Sequence, residues 1–501
     1  MSLLSRWLAA CQERHPTSRE TLSGAIVDEQ FAPILPTRVL QVDEETIRLI
    51  EPNGEHGRYV TLSYCWGAPE KKPPLVTTRE TMVQNQREVD FASLPKTYQD
   101  AITVVRRMNF RYLWIDSLCI VQDDREDWLR ESKKMGAIYE RADFTIAPSH
   151  AADSWQGFLY SRPMKSTPVE LSAFISSDEG PGVRIFAKIR DEAASDVFPE
   201  GGALSNRAWA TQEWLLSRRV VFFTPAGIMW SCKYVTQRET GERCFTVARN
   251  THWKSVAEGF SDRRLTYPED KLVALEGLRA EWGKRTEYSY VCGVWKECLP
   301  DQLLWHVCQQ STVEVTDPLA LPSWTWMHVP CGVRFLPING AKNVCKTIEF
   351  SGDDSTITIA SKFKAIHTTS GPTDVNRDGD SISKAISRDL EGLHGLQDKQ
   401  AWSLVTYIKE GETISGFVIY DRGGFARDDV AHFALSLMST VSPKDDAKEQ
   451  RTGKPASTKL REQWVVVVRK AGKDLFERIG AGKIYGNKPW ERIMVDDITL
   501  I

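Results

Sequence analysis

The stretch SNRAWATQEWLLSRR, Ser205 to Arg219, sets Trp209 and Glu213 four residues apart, one helical turn. Arg207 precedes them and Gln212 stands beside the acid. A helix built only for packing can use Leu, Ala and Lys. A carboxylate one turn from an indole, with a guanidinium and an amide close by, has the composition of a site for a polar, stackable ligand such as a nucleotide.

These groups need a scaffold, and the flanking sequence predicts one. RVLQVDEETIRLIEP, from Arg38, alternates as a hairpin does. Tyr59 to Tyr64 is a predicted buried strand, ended by Gly67 and a Pro-rich loop. SLPKTYQDAITVVRRMNF is a predicted helix with Ser93 as cap, Pro95 in its first turn and Ala101, Val104, Val105 and Met108 on its apolar face. RYLWIDSLCIVQ is expected as a strand, DREDWLRESKKMGAIYERA as one helix and DFTIAPSH as a third strand. The opening helix follows at about Arg207–Leu216, then strands in RRVVFFTPAG and IMWSC. This alternation predicts an α/β fold with an open, mainly parallel sheet and helices on both faces.

In such a sheet ligands bind beyond the carboxyl ends of the strands. Ser63, Tyr64, Trp66 and Gly67 follow the first strand; Asp116, Cys119 and Gln122 the second; Ser149 and His150 the third. Each has a structural alternative. Trp66 and Trp209 suit a core, and Asp116 suits a cap. Cys119 suits a small buried position, and a Cys119–His150 thiol pair lacks a group to orient the base. Glu213 has Arg207 or Arg218 as an ion-pair partner, and Glu131 is expected to face solvent beside Lys134.

Composition narrows the classes. A net charge of -3 over 501 residues offers no basic excess for nucleic acid. Seventeen Trp imply a large core. The ten Cys are dispersed, with no CxxC and no Cys/His cluster at zinc spacing. No run approaches the roughly 20 apolar residues of a membrane span, and MSLLSRWLAACQERHP has no signal-peptide core. The expectation is a cytoplasmic protein with reduced thiols and no membrane span.

YVTLSYCWG, LWIDSLCIVQDDREDW, RAWATQEWLLSRRVVFF, LTYPEDKLVALEGL and LPSWTW, in that order, resemble the fungal heterokaryon-incompatibility (HET) domain family over roughly residues 35–330. CQERHP is similar to that family's leader, with Thr17 where a second Cys is common; this removes a metal from expectation there. The resemblance implies non-self recognition that triggers cell death, and a distant likeness to TIR domains with a flavodoxin-like sheet. Catalytic TIR domains hydrolyse NAD to nicotinamide and an ADP-ribose product. Trp209 and Glu213 match the Trp and Glu of their catalytic helix, whereas Trp128 and Glu131 stand three apart and one helix early. The resemblance thus implies Glu213 as the catalytic carboxylate. Ser63, Tyr64, Trp66, Asp116, Arg207, Trp209 and Gln212 would bind NAD, which is substrate and not cofactor. A homo-oligomer and an unknown protein trigger are the implied partners; a non-catalytic TIR-like assembly module is the alternative.

The expected organisation is a leader over 1–34, an α/β domain over 35–240 with an insertion at about 160–204, a helical extension over 241–330 and a β-rich C-terminal domain over 331–501. The insertion carries strand-like VELSAF and GVRIFAKI. TSGPTDVNRDGD and SPKDDAKEQRTGKPAST are expected as polar loops.

Overall fold

The computed structural model describes residues 2–28, 30–68, 72–160, 169–171, 185–187, 197–244, 252–308, 319–370, 381–393, 402–409, 412–421, 431–440, 461–486 and 495–501. Most of both predicted polar loops, 371–380 and 441–460, lies outside them. The chain divides into two compact units, 1–250 with 273–285, and 251–272 with 286–501.

In the first unit the strands are β1 (Val39–Val42), β2 (Ile47–Ile50), β3 (Tyr59–Leu62), β4 (Tyr112–Trp114), β5 (Thr145–Pro148), β6 (Val169–Leu171), β7 (Ile185–Ala187), β8 (Arg219–Thr224), β9 (Gly227–Cys232) and β10 (Thr236–Arg238). The main sheet runs β10-β9-β8-β5-β3-β4-β1-β2. Its centre, β8, β5, β3 and β4, is parallel, and antiparallel hairpins flank it on both sides. β3, β5 and β8 are buried throughout, as parallel strands covered on two faces must be. The predicted hairpin is β1–β2, paired Val39 to Ile50 through Val42 to Ile47. The two strand-like pieces of the insertion pair antiparallel as β6 and β7.

The helices are α1 (Leu3–Arg14), α2 (Met82–Arg87), α3 (Lys96–Arg107), α4 (Asp116–Cys119), α5 (Arg125–Ser132), α6 (Met135–Arg141) and α7 (Ala210–Leu216). Four expectations change. Ser93 does not cap α3. It sits in a 3-10 turn, Phe91–Ser93, capped by Asp90, and Pro95 holds the N-cap position. RYLWIDSLCIVQ is strand only to Trp114. Asp116 turns the chain by accepting the N–H of Ser117 at 2.7 Å, and the remaining apolar run is buried as the short helix α4. The long predicted helix is two, α5 and α6. Lys134 N–H bonds three residues back to the Glu131 carbonyl, which tightens the junction. The opening helix starts at Ala210, with Trp209 at its cap.

A further helix, α8 (Glu276–Thr286), lies within the first unit as far as Arg285. Its Gly277 faces Gly136 of α6 so closely that a Cβ on Gly136 would lie 2.9 Å from the Gly277 Cα. Two glycines permit that approach because neither carries a side chain.

The second unit is β-rich. Six long strands, 357–370, 402–409, 412–420, 432–439, 461–470 and 475–486, pair antiparallel in a ring. The ring closes because 357–370 pairs with both 402–409 and 432–439. Closure leaves no free edge among them. Ile366, Val418, Tyr420, Ala434, Val465, Val467, Ile479 and Ile484 form one buried cluster. The region from 252 to 308, expected as helical, has one helix in this unit, Trp253–Ser261, with short strands at 290–291, 294–295 and 305–307.

Candidate functional site

Two loops and one helix converge at the carboxyl ends of the parallel strands. Ser63 and Tyr64 directly follow β3, and Asp116 follows β4 by two positions. Gly67 lets the first loop turn: its φ is +97°, and a Cβ there would stand 2.6 Å from Asp153 Cβ. α7 then crosses with every residue from Ala210 to Leu216 buried. A helix buried on all sides must satisfy its polar side chains internally.

Glu213, 1% exposed, does so across the sheet. The Ser63 hydroxyl donates to Glu213 Oε2, and Trp214 Nε1 donates to Ser63 Oγ at 3.1 Å. The backbone is tied as well. Ser217 Oγ donates to the Glu213 carbonyl at 2.5 Å and shares a 2.6 Å hydrogen bond with Thr145 Oγ1, which in turn meets Thr61 Oγ1 at 2.7 Å. This row of hydroxyls from three elements escaped sequence reasoning. Its members are ordinary strand residues that meet only once β3 and β5 pair.

Asp116 is the second carboxylate. It is 7% exposed, and Trp66 Nε1 donates to its Oδ2 at 2.9 Å. Burial holds the Asp116 carboxyl above its ordinary range, partly offset by the Arg207 charge and the Trp66 hydrogen bond. Arg207, half-buried, donates to the Tyr64 carbonyl, and its charge acts on both Glu213 and Asp116. Tyr64 itself is a core residue: its hydroxyl meets Tyr98 at 2.7 Å, and Tyr98 meets Ser117 at 2.8 Å. The structure therefore brings Ser63, Glu213, Arg207, Asp116 and Trp66 together around one cation and two acids.

Two predicted residues point elsewhere. Gln212 is buried against α8, its Oε1 2.9 Å from where a Gly277 Cβ would be, and its Nε2 has no hydrogen-bond partner. Trp209 packs edge-on against Trp128 of α5, with centroids 6.3 Å apart at 86°. Glu131 is a correction. It does not face solvent but is 2% exposed, held by Lys134 at 3.0 Å and Arg130 at 3.4 Å. Two cations make its burial tolerable. Burial pushes the Cys119 thiol up to about 12, so it stays protonated and inert at neutral pH.

Two surface cavities are lined by other residues. One, of about 480 Å³, lies between Thr21–Ile34 of the leader, α6 and α8; the other, of about 350 Å³, lies in the second unit around Ala320–Ser323. Among the described residues no helix is long and apolar enough to cross a membrane.

Residues 59–213 match the family model of the heterokaryon incompatibility protein (HET), a match that begins at the first residue of β3 and ends at Glu213. Over that stretch the chain carries a HET domain. No curated protein and no solved structure matches the chain.

Proposed function

We propose that this HET-domain protein acts in non-self recognition by hydrolysing NAD, as catalytic TIR domains do, with Glu213 as the essential carboxylate. The observation that supports this reading is the convergence of Glu213, Asp116 and Arg207 at the carboxyl ends of parallel strands, where open α/β sheets bind ligands. Cleavage breaks the bond between ribose C1′ and the nicotinamide nitrogen. The electron pair leaves with nicotinamide, which departs neutral and needs no general acid. Water adds to the ribosyl cation and releases a proton. Glu213 would bind the ribose hydroxyls and stabilise the positive charge on the ribose. Arg207 would turn from the Tyr64 carbonyl to the phosphates.

Glu213 is covered by Ser63 and Trp214, so substrate reaches it only after this cover moves. Self-association is the event we assign to that opening. The same burial favours a second reading, a non-catalytic module whose α7 is purely structural and whose output is assembly.

The deciding experiment is nicotinamide release from NAD by the concentrated full-length chain, beside Glu213→Gln. The enzyme reading expects turnover that falls about 10²–10³-fold in the variant while its thermal melt stays close to the parent's. Equal turnover in both removes Glu213 from the mechanism. Silence of both, with cell death on overexpression undiminished by Glu213→Gln, selects the assembly module.

A further inference from the structure

At the other end of the parallel strands, three side chains with metal-ligating atoms meet. Cys11 lies on α1, His15 follows one turn later at its C-cap, and Cys232 ends β9. The β8–β9 register sets Cys232 opposite Arg219, the first residue of β8, so this cluster sits at the amino ends of the parallel strands, the opposite edge from Glu213. The two sulfurs and a ring nitrogen all lie within 4.8 Å of one another, and Cys232 Sγ is 3.6 Å from His15 Nδ1. Zinc–sulfur bonds of about 2.3 Å and zinc–nitrogen bonds of about 2.0 Å in a tetrahedron require ligand separations of roughly 3.5–3.8 Å. The cluster is thus within about 1 Å of coordination geometry.

The surroundings are built for such an ion. Both cysteines are buried and His15 is half-buried. The His15 ring is held by stacking on Tyr234, with centroids 4.4 Å apart at 21°. Arg219 Nε donates to Cys11 Sγ at 3.2 Å, the outer contact that steadies a metal-bound thiolate. The Ser18 hydroxyl, 0% exposed, stands beside the Cys232 sulfur.

We propose that Cys11, His15 and Cys232 bind one zinc ion, with the fourth position taken by Ser18 or by a water that Ser18 holds. Two thiolates and an imidazole are soft donors that suit Zn²⁺ over Mg²⁺ or Ca²⁺, and two thiolates neutralise its charge. The site is structural: it fastens the leader helix to the sheet. Linear spacing hides it because Cys232 stands 217 positions from His15. The proposal replaces the expectation drawn from Thr17, since the second sulfur comes from the sheet and not from the leader.

The test uses the full-length chain, purified reduced and free of chelator, dialysed against Zn²⁺ and measured for metal content. Co²⁺ then replaces zinc to report thiolate ligation by its charge-transfer absorption. The expected result is about one equivalent of zinc. Affinity should fall by more than the 10–100-fold typical of an outer-shell loss in both Cys232→Ser and His15→Ala, and stay unchanged in Cys345→Ser. His15→Ala, at a partly exposed helix end, decides the matter if Cys232→Ser fails to fold. A folded parent that takes up no zinc overturns the proposal. So does uptake indifferent to His15→Ala.

Discussion

Ser63 and Glu213, 150 positions apart in the chain, share a buried hydrogen bond that joins the end of β3 to α7. Ser63 also accepts from Trp214, so one hydroxyl serves two partners. Ser63→Ala removes both of these hydrogen bonds with almost no change in volume. Unfolding free energy should fall by about 1–3 kcal/mol, the net worth of two buried hydrogen bonds, one of them to a carboxylate. Urea denaturation of the parent and variant measures it. An unchanged midpoint would mean that water already reaches the Glu213 carboxylate.

Asp116 gives a pH signature. Its folded value is raised above the ordinary 3.8, chiefly by burial. The folded chain therefore holds this proton more tightly than the unfolded chain. The stability so gained is complete below 3.8 and is lost as pH rises through the raised folded value. Asp116→Asn cannot titrate and lacks this decline. Stability of the variant minus that of the parent should climb with pH just above 3.8, then level off. Urea midpoints across that range test it, and a difference that falls there would contradict the assignment.

Asp127 accepts from two arginines in very different settings. Arg38, side chain 6% exposed, also donates to the Cys119 carbonyl at 2.8 Å; Arg130 is 53% exposed. Arg38→Ala leaves Asp127 buried with its main partner gone and should cost about 3–5 kcal/mol. Arg130→Ala should cost under about 1 kcal/mol, because solvent screens an exposed pair. Similar thermal shifts in the two variants would refute this ranking.

The strand–helix alternation was legible because apolar runs such as Tyr59–Leu62 and Arg219–Thr224 are buried on both faces, and burial writes itself into composition. RYLWIDSLCIVQ misled for the same reason: Leu118, Ile120 and Val121 are buried whether in a strand or in a tight turn, so hydrophobicity does not distinguish the two. Of the candidate site, position along the chain was enough to find Ser63, Asp116, Arg207 and Glu213. The inward turn of Glu131 was not legible. Its burial depends on Lys134 folding back across the α5–α6 junction, a geometry set by two residues. The ring of six strands in the second unit is likewise silent in sequence, because its closing pair, Phe363 with Leu435, spans distant segments.

The family match covers 59–213, yet the strand order sets β1 against β4 and β8 against β5, and both β1 and β8 lie outside that stretch. What the family shares and what folds are different lengths of chain. A fragment cut to the matched residues would present the outer sides of β4 and β5 as bare, apolar pairing edges, and would self-associate through them. Toxicity or aggregation seen with such a fragment would report the missing neighbours. An autonomous piece has to begin before Val39 and, because Gly277 seats against Gly136, continue through Arg285.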